Sequence, residues 1–318
     1  MRSEGFPSIV SDRVYFRRHV ARDNRQNGLE ALRRCLKLSV ADDTSAIAPV
    51  ETHLDWVKSW TEPVFVSVDT EGHPMREIGI SILDTRNLDA AAPFAQLSTL
   101  ISSHNFRTWK CKNAEDEKPF RFGRSVKLQS RWKGWLMKKV LETGSPDMSV
   151  TEPRNVILVG HAIVDDLHNF ATARKGKFRI TDHPTIPIFD TQHLAHGDGD
   201  PRSLLDILIE TKVPFANLHN GGNDAHYTLK LLLLIAVNSC QGLELTSAQE
   251  ARRDLLKALG GMELPFRPAG LKRRDLALET ASSPYRFCKG EGDWFENCVD
   301  EAGWGDCLDI YNSPGEKS

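Results

Sequence analysis

Short apolar runs, separated by polar stretches, set the order of elements along this chain. PVFVSVDTEG at 63–72 places Val64, Val66 and Val68 among other strand formers and predicts a buried strand. REIGISILDT at 76–85 follows after a short Gly-His-Pro turn, a spacing that predicts an antiparallel hairpin. NVILVG at 155–160 is a further buried strand, and HAIVDDLHNFATA at 161–173 has the pattern of the helix that follows it. TIPIFDT at 185–191 predicts another strand, and SLLDILIET at 203–211 and residues 221–239 predict helices. A hairpin followed by strand–helix units implies an α/β fold, a mixed sheet flanked by helices. Residues 1–60 are polar and irregular, apart from NGLEALRRCLKLSV at 27–40, which predicts one helix.

Charge adds to this picture locally rather than globally. The chain has 318 residues and a net charge of −2, so nothing global points to nucleic acid. Residues 104–139 are different: eleven Lys/Arg against three Asp/Glu, interleaved with Phe106, Trp109, Phe120, Phe122, Trp132 and Trp135. Cations that follow phosphates and rings that stack on bases suit a nucleic-acid surface; a solvated helix-loop with inward aromatics has the same composition. Six scattered cysteines without a CxxC pair, no apolar signal core near residue 1 and no run of transmembrane length predict an intracellular protein with reduced thiols, cytoplasmic or nuclear and without a membrane partner. Cys288, Cys298 and Cys307 lack the paired spacing of a structural zinc site and are expected to pack with Trp294, Phe295 and Trp304.

Four carboxylates stand at element boundaries. Asp69 and Glu71 end the first strand, and their i, i+2 spacing puts both side chains on one face. Asp166 follows the strand at 155–160, and Asp224 lies in the first turn of the helix at 221–239. Singly, each is explained by solubility, capping or the helix dipole. Together they share one position, the end of a buried strand or the start of the next helix, where ligands bind in α/β sheets. Converging carboxylates repel and need cations; an oxygen-only set favours Mg²⁺ or Mn²⁺. Two such ions, about 4 Å apart, suit an in-line phosphoryl displacement. His219 lies five residues before Asp224 and is the candidate general base, with an ordinary pKa of about 6.5. The Gly221-Gly222 pair is expected to turn the chain tightly enough for both to reach one site, with Asn223 as helix cap and His226 on the surface or in packing.

VDTEG, GHAIVDDL and HNGGNDA resemble the three motifs of the DEDDh 3′–5′ exonucleases, of ribonuclease H-like fold. The first is D-x-E, here Asp69 and Glu71; the second places an Asp five residues after His161; the third is H-x4-D-A, here His219, Asp224 and Ala225. Asp165 competes with Asp166, which the spacing and Leu167 favour, and Asp190 is the next candidate ligand. FRFG at 120–123 and the form HNxGND look like a fungal branch linked to RNA silencing and messenger-RNA export. The resemblance implies a mixed five-stranded sheet and two divalent ions, Mg²⁺ or Mn²⁺, held by Asp69, Glu71, Asp166 and Asp224. It also implies removal of mononucleotides from a free 3′ end of RNA, with single-stranded DNA as second substrate. An RNA-silencing or export protein is the expected partner, and a scaffold that keeps the fold without the chemistry is the alternative.

It covers residues 62–240 and leaves an N-terminal extension at 1–61 and a C-terminal one at 241–318. The latter is basic over 251–275 and then acidic, with eight acids against one lysine over 291–318. That acidic, aromatic tail could mimic nucleic acid on the basic surface and restrain activity. Substrate-binding residues are not legible in the sequence.

Overall fold

The computed structural model describes residues 13–39, 62–89, 97–108, 119–183, 185–196 and 200–265. Trp109, the three cysteines from Cys288 onward and the acidic tail lie outside them.

The centre is a sheet of six strands: β1 (Val64–Glu71), β2 (Glu77–Asp84), β3 (Ile101–Thr108), β4 (Ser125–Leu128), β5 (Val156–Gly160) and β6 (Ile188–Asp190). Their order is β4-β3-β2-β1-β5-β6. β1 and β2 form the predicted hairpin, with Val64 opposite Asp84 and Glu71 opposite Glu77. β2 and β3 are antiparallel, whereas β5 runs parallel to β1, β6 to β5 and β4 to β3. The sheet is mixed and compatible with a ribonuclease H-like fold, but it has six strands where five were expected; β4 comes from the basic stretch.

The helices are α1 (Arg13–Asp23), α2 (Leu29–Cys35), α3 (Arg86–Asp89), α4 (Leu97–Leu100), α5 (Lys133–Thr143), α6 (Val164–Ala171), α7 (Thr191–His196), α8 (Leu204–Glu210), α9 (Gly221–Asn238) and α10 (Ser247–Gly261). A π-helical stretch, Asn24–Gly28, joins α1 to α2, so the helical segment already includes Arg13 instead of starting at 27. Its inward face was hidden in the sequence because Phe16 and Val20 share it with a polar residue. That residue, Asn24, is buried and donates to the carbonyls of Val20 (2.9 Å) and Ile188 (3.0 Å).

α9 packs across β1, β2, β3 and β5. Leu229, Leu231, Leu232 and Leu233 are all fully buried, because α2, α7, α8 and α10 cover the side of α9 away from the sheet. Phe65, Leu83, Ile157 and Val159 meet α9 in one core cluster with Leu32, Leu36 and Leu38 of the N-terminal segment and Leu256 and Leu259 of α10. Alternation along β1 turns Val64, Val66 and Val68 to the opposite face, where Gly144 at the end of α5 packs against Val64. Asp69 and Glu71 therefore belong to the α9 face, and Thr70 between them to the α6 side.

Candidate metal centre

The carboxyl ends of β1 and β5 bring the site together. Asp69 and Glu71 close β1, and α6 starts four residues after β5 ends. Asp166 is buried there, and its Oδ1 accepts from the Thr70 backbone N–H (2.8 Å) and the Thr70 hydroxyl (2.7 Å). Thr70 Oγ1 in turn accepts from Asn169 Nδ2 (3.0 Å). A residue lying between two of the carboxylates thus fixes the third.

α9 supplies the fourth. Asp224 is buried, and its Oδ2 accepts from the backbone N–H of His219 (2.8 Å). His219 has a left-handed backbone (φ 65°), its side chain is 77% exposed, and Nδ1 lies 3.8 Å from Glu71 Oε1. One ligand atom each from Glu71, His219 and Asp224 lies within 4.8 Å of the others.

The glycine pair acts differently from the expectation. Neither Gly221 nor Gly222 has positive φ; the left-handed turns are at Asn217 and His219. The pair instead lets the start of α9 lie directly on the sheet. A Cβ on the facing Gly79 of β2 would fall 1.8 Å from the Gly221 carbonyl oxygen, and one on Gly222 would fall 2.6 Å from the Phe120 ring. The cap also differs. Asn220, not Asn223, is the N-cap, its Oδ1 accepting from Asn223 N. Gly221 N donates to Glu77 Oε2 (3.2 Å), Gly222 N to Asn105 Oδ1 (3.2 Å) and Asp224 N to Asn220 O (2.9 Å). The amides of the first turn, Gly221, Gly222 and Asn223, are thereby satisfied by side chains, and Asp224 N makes the first bond of the helix itself. Asn223 holds the FRFG loop: its Oδ1 accepts from Arg121 N (2.8 Å), and its Nδ2 donates to Pro119 O (3.1 Å). His226 is buried, stacked on Phe122 at 3.6 Å.

Crowded charge shows in the electrostatics. Burial first, then the charges of Asp166, Asp224, Glu71 and Glu77, hold the Asp69 carboxyl well above its ordinary pKa. Burial raises Asp166 to about 7, against the two hydrogen bonds from Thr70. The two competing aspartates are engaged elsewhere. Asp165 is paired with Arg13 and Arg17. Asp190 is buried and accepts from the backbone N–H groups of Ala162 (3.0 Å), Ile163 (3.3 Å) and Gln192 (3.0 Å).

The family profile described as "DNA polymerase III subunit epsilon-like, C-terminal domain" matches residues 64–235. The chain belongs to this DEDDh exonuclease family. No curated protein was found to match it. DEDDh exonucleases act on nucleic acid with divalent metal ions, and the residues present fit such ions. The carboxylate donors are all hard oxygens. Asp69 Oδ2 is buried without a hydrogen-bond partner among the described residues, so a cation would offset both its desolvation and the mutual repulsion.

Sequence reasoning missed the residues of the DEDDh domain that hold this frame: Glu77, Thr70, Asn105 and Asn220. Glu77 is the clearest. Buried at the start of β2, it accepts from Arg107 Nε (3.0 Å), Asn220 Nδ2 (3.1 Å) and Gly221 N. Its signal was an acid opening a strand buried along its whole length, EIGISILD. Much of the basic, aromatic stretch serves packing: Phe106, Phe120 and Lys133 are buried, and Lys133 Nζ donates to Met75 O (3.1 Å). Arg124, Lys127 and Arg131 stay exposed. Among the described residues no helix is long and apolar enough to cross a membrane.

Proposed function

We propose that this chain is a 3′–5′ exonuclease that removes nucleotides from the 3′ end of RNA, with single-stranded DNA as a second substrate. One observation carries the reading: carboxylates from β1, α6 and α9 gather at one sheet edge around a buried Asp69 oxygen that no donor among the described residues satisfies. Asp69, Glu71, Asp166 and Asp224 would hold two divalent cations, Mg²⁺ or Mn²⁺. When bound, these supply positive charge that stabilises the developing charge of an in-line phosphoryl displacement.

The chain's own residues do the rest. Thr70 fixes Asp166 beside the β1 carboxylates. Glu77 and Asn220 seat the start of α9, so that Asp224 faces Asp69. His219 is the general base. Its ring is exposed at the rim while its backbone is tied to Asp224, so it can take a proton from the attacking water and pass it to solvent. Support for the 3′ direction and for RNA comes from the resemblance of the three motifs and of the HNxGND form to exonucleases of that polarity.

Oligonucleotides labelled at the 5′ or the 3′ end, incubated with Mg²⁺ or Mn²⁺, test the reading. The 5′-labelled strand should shorten as a ladder, and the 3′-labelled strand should release its label first. Both signals should vanish with EDTA and in Asp69→Ala. Internal cleavage, or binding without shortening, would overturn the proposal; the second result would favour a nuclease-fold scaffold.

A further inference from the structure

We infer that the arginine-rich helix α1 is an accessory track for the phosphate backbone of the nucleic acid, docked beside the metal centre through Asp165. The inference rests on the nuclease reading. α1 lies outside the residues 64–235 matched by the family, so nothing in that match assigns it a role.

Between residues 13 and 28 the chain carries five arginines, Arg13, Arg17, Arg18, Arg22 and Arg25, and one acid, Asp23, which is buried and pairs with Arg22 at 3.4 Å. All five arginines are exposed, in a chain whose net charge is −2. Arg13 and Arg17, one turn apart, both donate to the same oxygen of Asp165. Two guanidinium groups on one carboxylate leave an excess of positive charge at that junction. Asp165 precedes Asp166 directly, so the dock fastens α1 to the turn that carries a proposed metal ligand. The other end is anchored by Asn24, whose Oδ1 accepts from Asp190 N (2.9 Å) and whose Nδ2 donates to Ile188 O.

α1 packs against α6 and β6, and the π-helical stretch that follows it packs against α7. Burial, Arg25 and Arg17 together push His193 of α7 down to about 4. Arg18, Arg22 and Arg25, at i, i+4 and i+7, form a further stripe.

Charge complementarity selects the occupant. A carboxylate cluster repels a polyanion, and salt screens fixed charge beyond about 8–10 Å. Attraction therefore has to come from cations that touch the strand itself, and a docked helix with its arginines facing solvent provides them. Guanidinium groups bind phosphate with two parallel hydrogen bonds, and releasing counterions from the strand drives binding.

The test uses the full chain in EDTA, where no turnover is needed, and a fluorescein-labelled single strand of 20 nucleotides as probe. Arg18→Glu/Arg22→Glu/Arg25→Glu should weaken binding about tenfold. It should also flatten the slope of log affinity against log salt by ~0.7 for each phosphate no longer neutralised. Arg18→Lys/Arg22→Lys/Arg25→Lys should restore most of the affinity, which a structural role for the guanidinium groups would not allow. With Mg²⁺, the ratio of kcat/KM for the 20-mer to that for a dinucleotide should fall about tenfold in the Glu variant. Lys212→Glu, on the α8 side, is the control and should leave binding unchanged. Unchanged affinity and salt slope in the Glu variant, or a Lys variant as weak as the Glu variant, would overturn the inference. A wild-type protein that binds through α1 and shortens nothing would sink the nuclease reading and leave the surface standing. Shortening that ignores the Glu substitutions would do the reverse.

Discussion

His219 is held by its backbone rather than its ring. The amide donates to Asp224 Oδ2, and the ring projects into solvent. Removing the ring therefore leaves the turn and the carboxylates in place. His219→Ala should keep Mn²⁺ binding, followed calorimetrically, within a few-fold of wild type and lower kcat by ~10²–10⁴; near-normal turnover would remove the histidine from the mechanism. Asp166 makes a prediction about pH. Its folded pKa of about 7 is far above the ordinary carboxylate value near ~4, so between those limits the folded state holds its proton more tightly than the unfolded chain. Its contribution to stability is full at low pH and is lost as pH rises through 7. Asp166→Asn cancels that contribution but can still accept the two hydrogen bonds from Thr70. In EDTA the variant's Tm, relative to wild type, should rise from pH 5 to pH 8. The buried His104 and His193, each near 4, pull the opposite way but cancel in the difference. Parallel melting curves would show that Asp166 titrates as an ordinary carboxylate.

At the scale of elements, the start of α9 is the joint on which the site depends, and close approach rather than chain reversal explains its glycines. Gly79 has an ordinary strand backbone, so Gly79→Ala tests the contact alone. Its Cβ would meet the Gly221 carbonyl, and overpacking of this kind costs about 1–3 kcal/mol. The variant should lose that much in urea unfolding and should also lack the Tm increase expected of the wild type in Mn²⁺, because Asp224 moves with the helix. A drop in stability with the Mn²⁺ response intact would separate the glycine contact from the site. The same joint shows what a sequence can disclose. The strands carrying D-x-E and preceding Asp166 were legible because they are rich in β-branched and aromatic strand formers, and α9 because its leucines are continuous. β3 was not, since ISSHNFRT reads as polar. Ser103 and Asn105 are paired inside: Ser103 Oγ lies 2.7 Å from Ser81 Oγ and 2.8 Å from His226 Nδ1, and Asn105 Nδ2 donates to Ser125 Oγ. Partners this distant in the chain leave no local pattern. The N-cap was misplaced for a related reason: Asn220 and Asn223 suit a cap equally well, and only the loop at 119–121 decides which one has other work.

For the whole molecule, the core extends beyond the residues that carry the motifs. Leu32, Leu36 and Leu38 from the N-terminal segment and Leu256 and Leu259 from α10 are each at most 1% exposed and join the cluster that covers α9. Lys230 of α9 is buried as well, its amine pushed down to about 8 by burial, and it donates to Met262 O just past α10. A fragment limited to 62–240 holds every proposed ligand and His219, but it would expose the outer side of α9 and strip Lys230 of that carbonyl. Each buried leucine contributes about 1.5–3 kcal/mol, so five amount to as much as the ~5–15 kcal/mol that separates a typical native domain from its unfolded chain. The fragment should therefore lack a cooperative urea transition, bind an apolar dye and show no Mn²⁺-dependent rise in Tm, whereas residues 13–265 should unfold in one step. Adding α10 alone restores two of the five leucines and the Lys230 hydrogen bond, so residues 62–265 should fall between the two. If 62–240 unfolds with the same midpoint and denaturant slope as 13–265, the flanking helices lie on the domain without stabilising it, and the integrity of the carboxylate cluster owes nothing to them.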